Sequence, residues 1–433
     1  MPRSTIAGST VAGSARIILA SLVGTTIEFY DFYIYGTAAA LVLGAVYFPA
    51  SATGSQTLAA FLTFGIAFLA RPLGALIFGH FGDRLGRKST LVASLLVTGI
   101  ATMLIGVLPG YKAIGWAAPI LLCLMRLAQG IGLGGEWGGA ALLVTEGAPA
   151  GRRAWFGMFP QLGPAIGFLL SNGLFLGLVL ALGNAAFLDW GWRIPFLASA
   201  VLVAIGLYVR LSLNETPAFA RMIARQEQVR VPLGEILSHH ARPLVLGSLA
   251  MVICYALFYI SAVFVLGYGT QALHIDRGTL LALLCLAILA MAAAIPVTAY
   301  LADRFGRRPV LIVASALAAL SGFAMAPLLS GGSTGSVLLF LVLELGLMGA
   351  TFAPMGAVLP ELFPTRVRYT GAAASYSLGG ILGASLAPYA AQRLAAAGGL
   401  AWVGYYITAA ALVSLIAVLL MRETSSTDMN VSS

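Results

Sequence analysis

The chain has 433 residues, 60% of them hydrophobic and 9% charged, with a formal net charge of +9. A soluble domain carries about 25% charged residues, so no soluble core could absorb this apolar surface, and the bilayer must act as the solvent. An outer-membrane barrel is excluded too: barrels read as short alternating segments, and this chain has long unbroken blocks of Leu, Ala and Gly.

Residues 1–16 are polar, and the apolar run behind them is too long for a signal-peptide core, so a cytoplasmic tail with no cleaved leader is expected. A membrane-crossing helix needs about 20 apolar residues. Such runs lie at 17–47, 56–80, 89–109, 116–145, 154–182, 194–212, 243–270, 278–301, 309–330, 336–359, 368–393 and 401–421, which predicts twelve transmembrane helices. The polar segment 213–242 divides them into one six-helix bundle at 17–212 and another at 243–421, with a cytoplasmic tail at 422–433. The linker reads equally as an amphipathic helix on the inner surface and as a solvated connection carrying His239 and His240. Cys123, Cys254 and Cys285 read as buried free thiols, with neither a disulfide framework nor metal spacing.

With the N-terminus inside, 18 of the 24 Lys and Arg residues fall on the cytoplasmic side. Lys112, Arg193, Arg277 and Arg393 fall outside, and Arg71 and Arg126 lie within spans. The positive-inside rule then places both termini in the cytoplasm. This map accounts for the net charge without a nucleic-acid partner.

The halves repeat. "GHFGDRLGRKS" at 79–89 follows the second span, and "AYLADRFGRRP" at 299–309 follows the eighth. Glu146 and Arg152 after the fourth span echo Glu361 and Arg366 after the tenth. Repeats of six spans mark a secondary transporter, with its site near mid-membrane between the halves. Gly82 and Gly86 permit a tight turn. Asp83 can face a helix N-terminus or an arginine of the other bundle. The expected cytoplasmic gate is therefore Gly82, Asp83, Arg84, Gly86 and Arg87, their counterparts Asp303, Arg304, Gly306 and Arg307, and the second echo, Glu146, Arg152, Glu361 and Arg366.

The doubled loop, with "RLAQGIGLGGEWGGA" at 126–140, resembles the major facilitator superfamily. "IEFYDFYIYG", "ARPLGALIFGHFGDRLGRK" and "WGWRIPF…NETPAF" narrow the resemblance to the metabolite:proton symporter family, and "GTTIEFYDFYIYG" is most similar to its shikimate-type branch. The resemblance implies an all-α fold of two pseudo-symmetric six-helix bundles. It also implies proton-coupled uptake of a small organic solute across a bacterial inner membrane by alternating access, as a monomer and with no cofactor. The family is known for carriers of shikimate, α-ketoglutarate, citrate and proline or betaine, so the substrate itself does not transfer.

Buried charges carry the chemistry. Gly24, Glu28, Asp31 and Tyr35 share one helix face by their spacing, as do Arg126, Gln129 and Glu136. Arg71 lies 12 residues before Asp83, about 18 Å of helix, and so sits near mid-membrane. Each isolated charge costs roughly 2.5–3.5 kcal/mol on insertion scales, so these groups must pair or face a wet cavity. Burial disfavours a charged carboxylate and a nearby arginine favours it. An acid between the two influences can load a proton and release Arg126 or Arg71 to grip a substrate carboxylate with its planar fork. Asp31 is the expected proton carrier, with Glu28 as modulator and Arg126 and Glu136 in the coupling network. Glu136 and Glu344 read equally as packing groups. Arg71, Arg126, Gln129, Gln161, Asn172, Tyr255 and Tyr259 are the expected substrate contacts, with Tyr30, Tyr33 and Tyr376 behind them.

No nucleotide-binding loop, metal cluster or nucleophile constellation is present in the sequence, so neither an ATP-driven pump nor a membrane enzyme is expected. An osmolyte carrier for betaine or proline is the rival substrate class. The long coiled-coil tail of osmosensing relatives has no counterpart after Arg422. A transporter-like sensor would need an output domain, for which no segment is long enough.

Overall fold

The computed structural model describes residues 5–49, 55–85, 87–134, 136–149, 151–212, 232–364 and 367–427. Twelve helical passes run through them. α1 spans Thr5–Ala38 and continues through a π-turn at Ala39–Leu43 into Gly44–Tyr47. α2 is Ser55–Leu85 and α3 is Arg87–Val107. α4 joins Ala117–Leu133 to Glu136–Glu146, α5 is Arg153–Asp189, and α6 is Ile194–Ser212. α7 runs Ala241–Tyr259, a π-turn at Ile260–Phe264, then Val265–Gln271. α8 is Arg277–Phe305, and α9 opens with Arg307–Ser321 and ends at Met325–Leu329. α10 joins Thr334–Phe352 to Met355–Glu361. α11 runs Arg368–Gly380, a π-turn at Ile381–Ser385, then Ala387–Gly398, and α12 is Leu400–Leu420.

Ten stretches among the described residues are long and apolar enough to cross a membrane. The remaining two passes are α3, whose described apolar part is Val92–Val107, and α11, which its π-turn interrupts. The first helix begins at Thr5, inside the polar segment read as a tail. The fifth continues past the expected end at 182, but the sequence signal there is real: Gly183 has φ 72° and breaks the helical path. Of the linker, 213–231 lies outside the described residues. Its far end, Pro232–His239, is helical and buries Ile236 against Leu244, Phe363 and Val367.

Glycines set the spacing that builds the site. Gly130 and Gly134 of α4 face the backbone of α2 at Ala67 and Arg71, so closely that a Cβ on either would strike it. Small residues allow such close helix approach in lipid. Here the approach places Arg126 and Arg71 on neighbouring helices of one bundle.

The halves meet at both ends. At the end that carries the basic loops, called the basic end below, the bare backbones of Gly157 and Gly356 touch, and a Cβ on Gly356 would lie 2.6 Å from the Gly157 carbonyl oxygen. At the opposite end the Gln271 amide donates to the Thr57 hydroxyl (3.0 Å) and Arg277 donates to the Asn184 carbonyl oxygen (2.9 Å). Contacts between the halves are therefore present at both ends among the described residues.

Candidate functional site

Between the halves the packing is aromatic. Trp137 of α4 stacks on Tyr376 of α11, with ring centroids 4.0 Å apart and planes 7° from parallel. Tyr33 of α1 stacks on Phe258 of α7 at 4.7 Å. Tyr255 and Tyr259 are stacked on each other, as expected for i and i+4, and each packs against Phe68 of α2. The slit they enclose, bounded also by Phe29, Met348 and Phe352, has room for about one water molecule.

Arg71 lies near this slit, whose lining tyrosines Tyr255, Tyr259 and Tyr376 act on it. It is 2% exposed, and its guanidinium carbon lies 4.8 Å from the Phe32 ring centroid and 4.9 Å from that of Phe68. Tyr255, Tyr259, Tyr376 and Glu28 are its electrostatic neighbours. Its Nε and Nη2 find no hydrogen-bond partner, and no carboxylate lies within salt-bridge distance among the described residues. A buried, uncompensated guanidinium is costly, and its open fork points to a planar anion.

Arg126 is the other embedded arginine; its Nε is likewise unpartnered, but its two Nη groups have neutral partners. It donates to the Gln129 carbonyl oxygen (2.7 Å) and to the Phe64 backbone oxygen (3.1 Å), and its guanidinium lies 3.8 Å from the Tyr35 ring centroid. Gln129 in turn donates to Thr102 (2.7 Å), and the Tyr35 hydroxyl bonds Thr63. These are neutral groups, so the expected pairing of Arg126 with an acid is not formed. Its contact at Phe64 lies seven residues from Arg71 along α2, about 10 Å of helix. Both guanidiniums nevertheless lie over the Phe32 ring, Arg71 at 4.8 Å and Arg126 at 5.1 Å from its centroid, so the two embedded arginines flank one aromatic side chain.

The acids divide as well. Asp31 is 1% exposed with both oxygens unpartnered, and no arginine lies within salt-bridge distance of it among the described residues. Its helix phase explains this. It shares a stripe with Ile27, which packs on Leu95 and Val203, and with Tyr35. Phe29 and Tyr33, which face the other half, lie on a different side of α1. Glu28 also has both oxygens without hydrogen bonds and no arginine within salt-bridge distance among the described residues, but Arg71 and Arg210 act on it electrostatically. Glu136 pairs with Arg210 of α6. Arg210 was missed in the sequence because it lies two residues from the end of its helix and reads as a topogenic loop charge, yet it is 8% exposed.

Other expected contacts have structural partners. The Gln161 amide donates to the Phe352 backbone oxygen of the other half (2.9 Å) and accepts from the Trp137 indole (3.1 Å), so it orients the stacked tryptophan. Asn172 ties α5 to α1 by accepting from Thr37 (2.9 Å) and donating to Phe168. The Tyr30 hydroxyl donates to the Pro195 backbone oxygen (2.9 Å), away from the slit. Glu344 is fully buried in the second half with neither oxygen hydrogen-bonded.

At the basic end, the Asp303 carboxylate accepts from the backbone N–H groups of Ala154 (3.0 Å) and Trp155 (2.8 Å) and pairs with Arg307 (3.0 Å). An acid of the second half thus caps the first helical turn of α5 in the first half. Arg307 also reaches Glu361 (3.2 Å). Gly306, with φ 97°, makes the turn between α8 and α9. Among the described residues this end differs from the expected gate at four places. Arg304 is exposed and leans on Phe305. Arg152 is exposed before α5, and its neighbour Arg153 makes the cross-half contact to Glu361 (3.7 Å). Glu146 is reached by Arg368 (3.6 Å). Gly82 lies within α2 rather than in a turn. The side chains of Asp83, Arg84 and Arg87, and the whole of Gly86 and Arg366, lie outside the described residues.

A twelve-pass bundle in two halves, packed around a central site of aromatic rings and one open guanidinium, is the architecture of a membrane carrier for small solutes rather than of an enzyme. The chain belongs to the major facilitator superfamily. The family model described as "Sugar (and other) transporter" matches residues 17–240, and that described as "Major Facilitator Superfamily" matches 262–432. Over 414 residues the chain is 52% identical to the inner membrane metabolite transport protein YhjE of Escherichia coli (strain K12), covering 94% of each. It is 39% identical to the shikimate transporter of the same strain, again covering 94% of each. To that strain's proline/betaine transporter it is 33% identical, covering 95% of this chain and 84% of the other. The proton:xylose symporter XylE, solved with 6-bromo-6-deoxy-D-glucose bound, has the same fold at a TM-score of 0.76 and 17% identity, with 97% and 98% of the chains covered. The chain is a multi-pass membrane transporter of metabolites.

Proposed function

We propose that this transporter carries a small organic acid together with protons, importing it across the bacterial inner membrane by alternating access. The observation that carries the reading is Arg71, buried where the two halves meet, with its fork unfilled. A substrate carboxylate would complete that fork with two charge-assisted hydrogen bonds, and the tyrosines and Trp137 would pack on the rest of a compact solute. The 39% identical shikimate transporter supports a cyclic carboxylate. The basic loops at one end support both termini in the cytoplasm.

Coupling follows if the substrate and Glu28 compete for one cation. Glu28 is placed for this, because Arg71 acts on it: a substrate that takes Arg71 leaves Glu28 to be neutralised by a proton. Asp31, the carrier expected from sequence, has no neighbouring arginine for a substrate to displace. Proton and solute then favour the same state, as symport requires.

The second reading is an osmolyte such as betaine or proline, which the Trp137–Tyr376 stack favours as a wall for an ammonium group. Against it, the Phe32 and Phe68 faces already hold the protein's own guanidinium. The test is uptake into proteoliposomes of shikimate, α-ketoglutarate, glycine betaine and xylose under an imposed proton gradient. Carboxylate uptake that a proton ionophore abolishes is expected. Ionophore-insensitive uptake overturns proton coupling, and a preference for betaine or xylose overturns the substrate class.

A further inference from the structure

The walls of the slit are poorly suited to a solute rich in hydroxyl groups. Apart from aromatic rings, the slit is bounded by Pro164, Met251, Cys254 and Met348. Among the described residues no amide, carboxylate or cationic side chain lines it, and its strong hydrogen-bonding side chains are tyrosines alone.

The amides that the sequence offered for reading a polar ring are spent on the protein. Gln161 is held at both ends, by the Phe352 backbone oxygen and the Trp137 indole. Asn172 is engaged with Thr37 and Phe168, and Gln129 with Arg126 and Thr102. Even one of the lining tyrosines is committed: the Tyr255 hydroxyl donates to the Tyr376 backbone oxygen (3.3 Å). Unfilled polar capacity lies one ring away. Phe68 packs against Tyr255 and Tyr259 and carries the Arg71 guanidinium 4.9 Å from its centroid, with Nε and Nη2 open.

A solute whose carboxylate fills that fork must lay the rest of its body in the slit. Each hydroxyl on that body gives up water and meets a wall without an amide or carboxylate to replace it, and a buried polar group left unpaired is costly. An apolar ring loses no hydrogen bond and gains burial. The two methionines suit such a ring. Their sulfurs make favourable contacts with aromatic edges, and their unbranched, flexible chains let the walls part where there is now room for about one water molecule. No second cation lines the slit to receive another carboxylate.

We propose that the carried solute is a monocarboxylate with an apolar ring as its body, and that Met251 and Met348 set this preference against polyhydroxylated acids and sugars. This rests on the carboxylate reading above and names the class of acid.

A matched pair of ligands tests it. Shikimate and cyclohex-1-ene-1-carboxylate share one ring and one carboxylate and differ by three hydroxyl groups. An apolar pocket rejects one added hydroxyl by up to about a hundredfold. Isothermal titration of the full chain in detergent should therefore show the unhydroxylated acid binding at least about tenfold more tightly. Equal or tighter binding of shikimate overturns the proposal. Met348→Gln places an amide in the wall on a side chain of similar length. It should narrow the ratio by about threefold or more, the contribution of one hydrogen bond, and its binding of the unhydroxylated acid reports that it is folded. An unchanged ratio in the folded variant overturns the role of Met348. Arg71→Gln should weaken both acids alike. Affinities that do not depend on Arg71 overturn the carboxylate reading itself, whatever the ratio, so the two failures are distinguishable.

Discussion

Trp137 and Tyr376 are stacked face to face across the boundary between the halves, at 4.0 Å and 7°. One ring belongs to α4 and the other to α11, so any motion that separates the bundles must part them. Gln161 fixes the tryptophan from α5 while also holding α10. Tyr376 thus borders the slit while its stack with Trp137 joins the halves.

That double role gives the first prediction. An aromatic pair contributes about 0.5–1.5 kcal/mol beyond its buried area. Tyr376→Leu should weaken shikimate binding by up to about tenfold, measured by isothermal titration in detergent. Unchanged affinity would mean the stack is packing alone.

Arg71 should tolerate no replacement. Hydrogen bonds to charged groups contribute about 1.5–3 kcal/mol. Arg71→Gln should lose at least about tenfold in carboxylate affinity. Arg71→Lys should fail nearly as badly, because an ammonium lacks the planar fork. Wild-type affinity in the lysine variant would rule out bidentate recognition.

Asp303 binds the first turn of α5 across the boundary, so its charge should hold the basic end shut. Asp303→Asn removes a carboxylate from a helix N-terminus, where such a charge contributes about 0.3–1 kcal/mol, and weakens the pair with Arg307. Backbone hydrogen exchange over 153–157 should accelerate in this variant. Exchange at the wild-type rate would show that Gly157 and Gly356 keep the end closed without the latch.

Glu423 lies outside the spans, and its carboxylate accepts from the backbone N–H groups of Arg307 (3.0 Å) and Arg308 (2.9 Å) at the start of α9. Partial burial pushes its carboxyl up, but the backbone N–H bonds from Arg308, Ser425 and Arg307 together outweigh burial and hold it below the ordinary 4.5. A depressed carboxyl stabilises the fold above its unfolded pKa, and that contribution is lost as pH falls through the folded value. Glu423→Gln should therefore lower the melting temperature at pH 7, by an amount that shrinks as the pH is lowered through the acid range. An equal loss throughout would point to packing instead of charge.

Much of this was legible in the sequence. Hydropathy located the passes, because a bilayer imposes length and apolarity on every spanning helix. The second copy of the doubled loop lies where the halves touch, with Asp303 bonded to the start of α5 and paired with Arg307. What periodicity could not supply was partnership. It gave Glu28 and Asp31 a common stripe, but a helix stripe is wide, and three residues of separation sufficed to set one where arginines act on it and the other beside Ile27 and Tyr35. Arg152 and Arg153 are adjacent in sequence but about 100° apart on a helix, so only one could face Glu361. Arg210 was hidden for a further reason: the depth of a charge near a helix end depends on how that helix packs, not on its distance from the apolar run.

Gly157 and Gly356 meet with no side chain between them. Nothing there can swing aside, so that contact has no soft intermediate: two bare backbones are either seated or apart. The pair acts as a bearing surface on which the bundles can rock with little friction from rotamers. A single added methyl would act as a wedge. Gly356→Ala, which leaves every charged group in place, should therefore bias the carrier toward the form opened at the basic end and supply a trapped state for study.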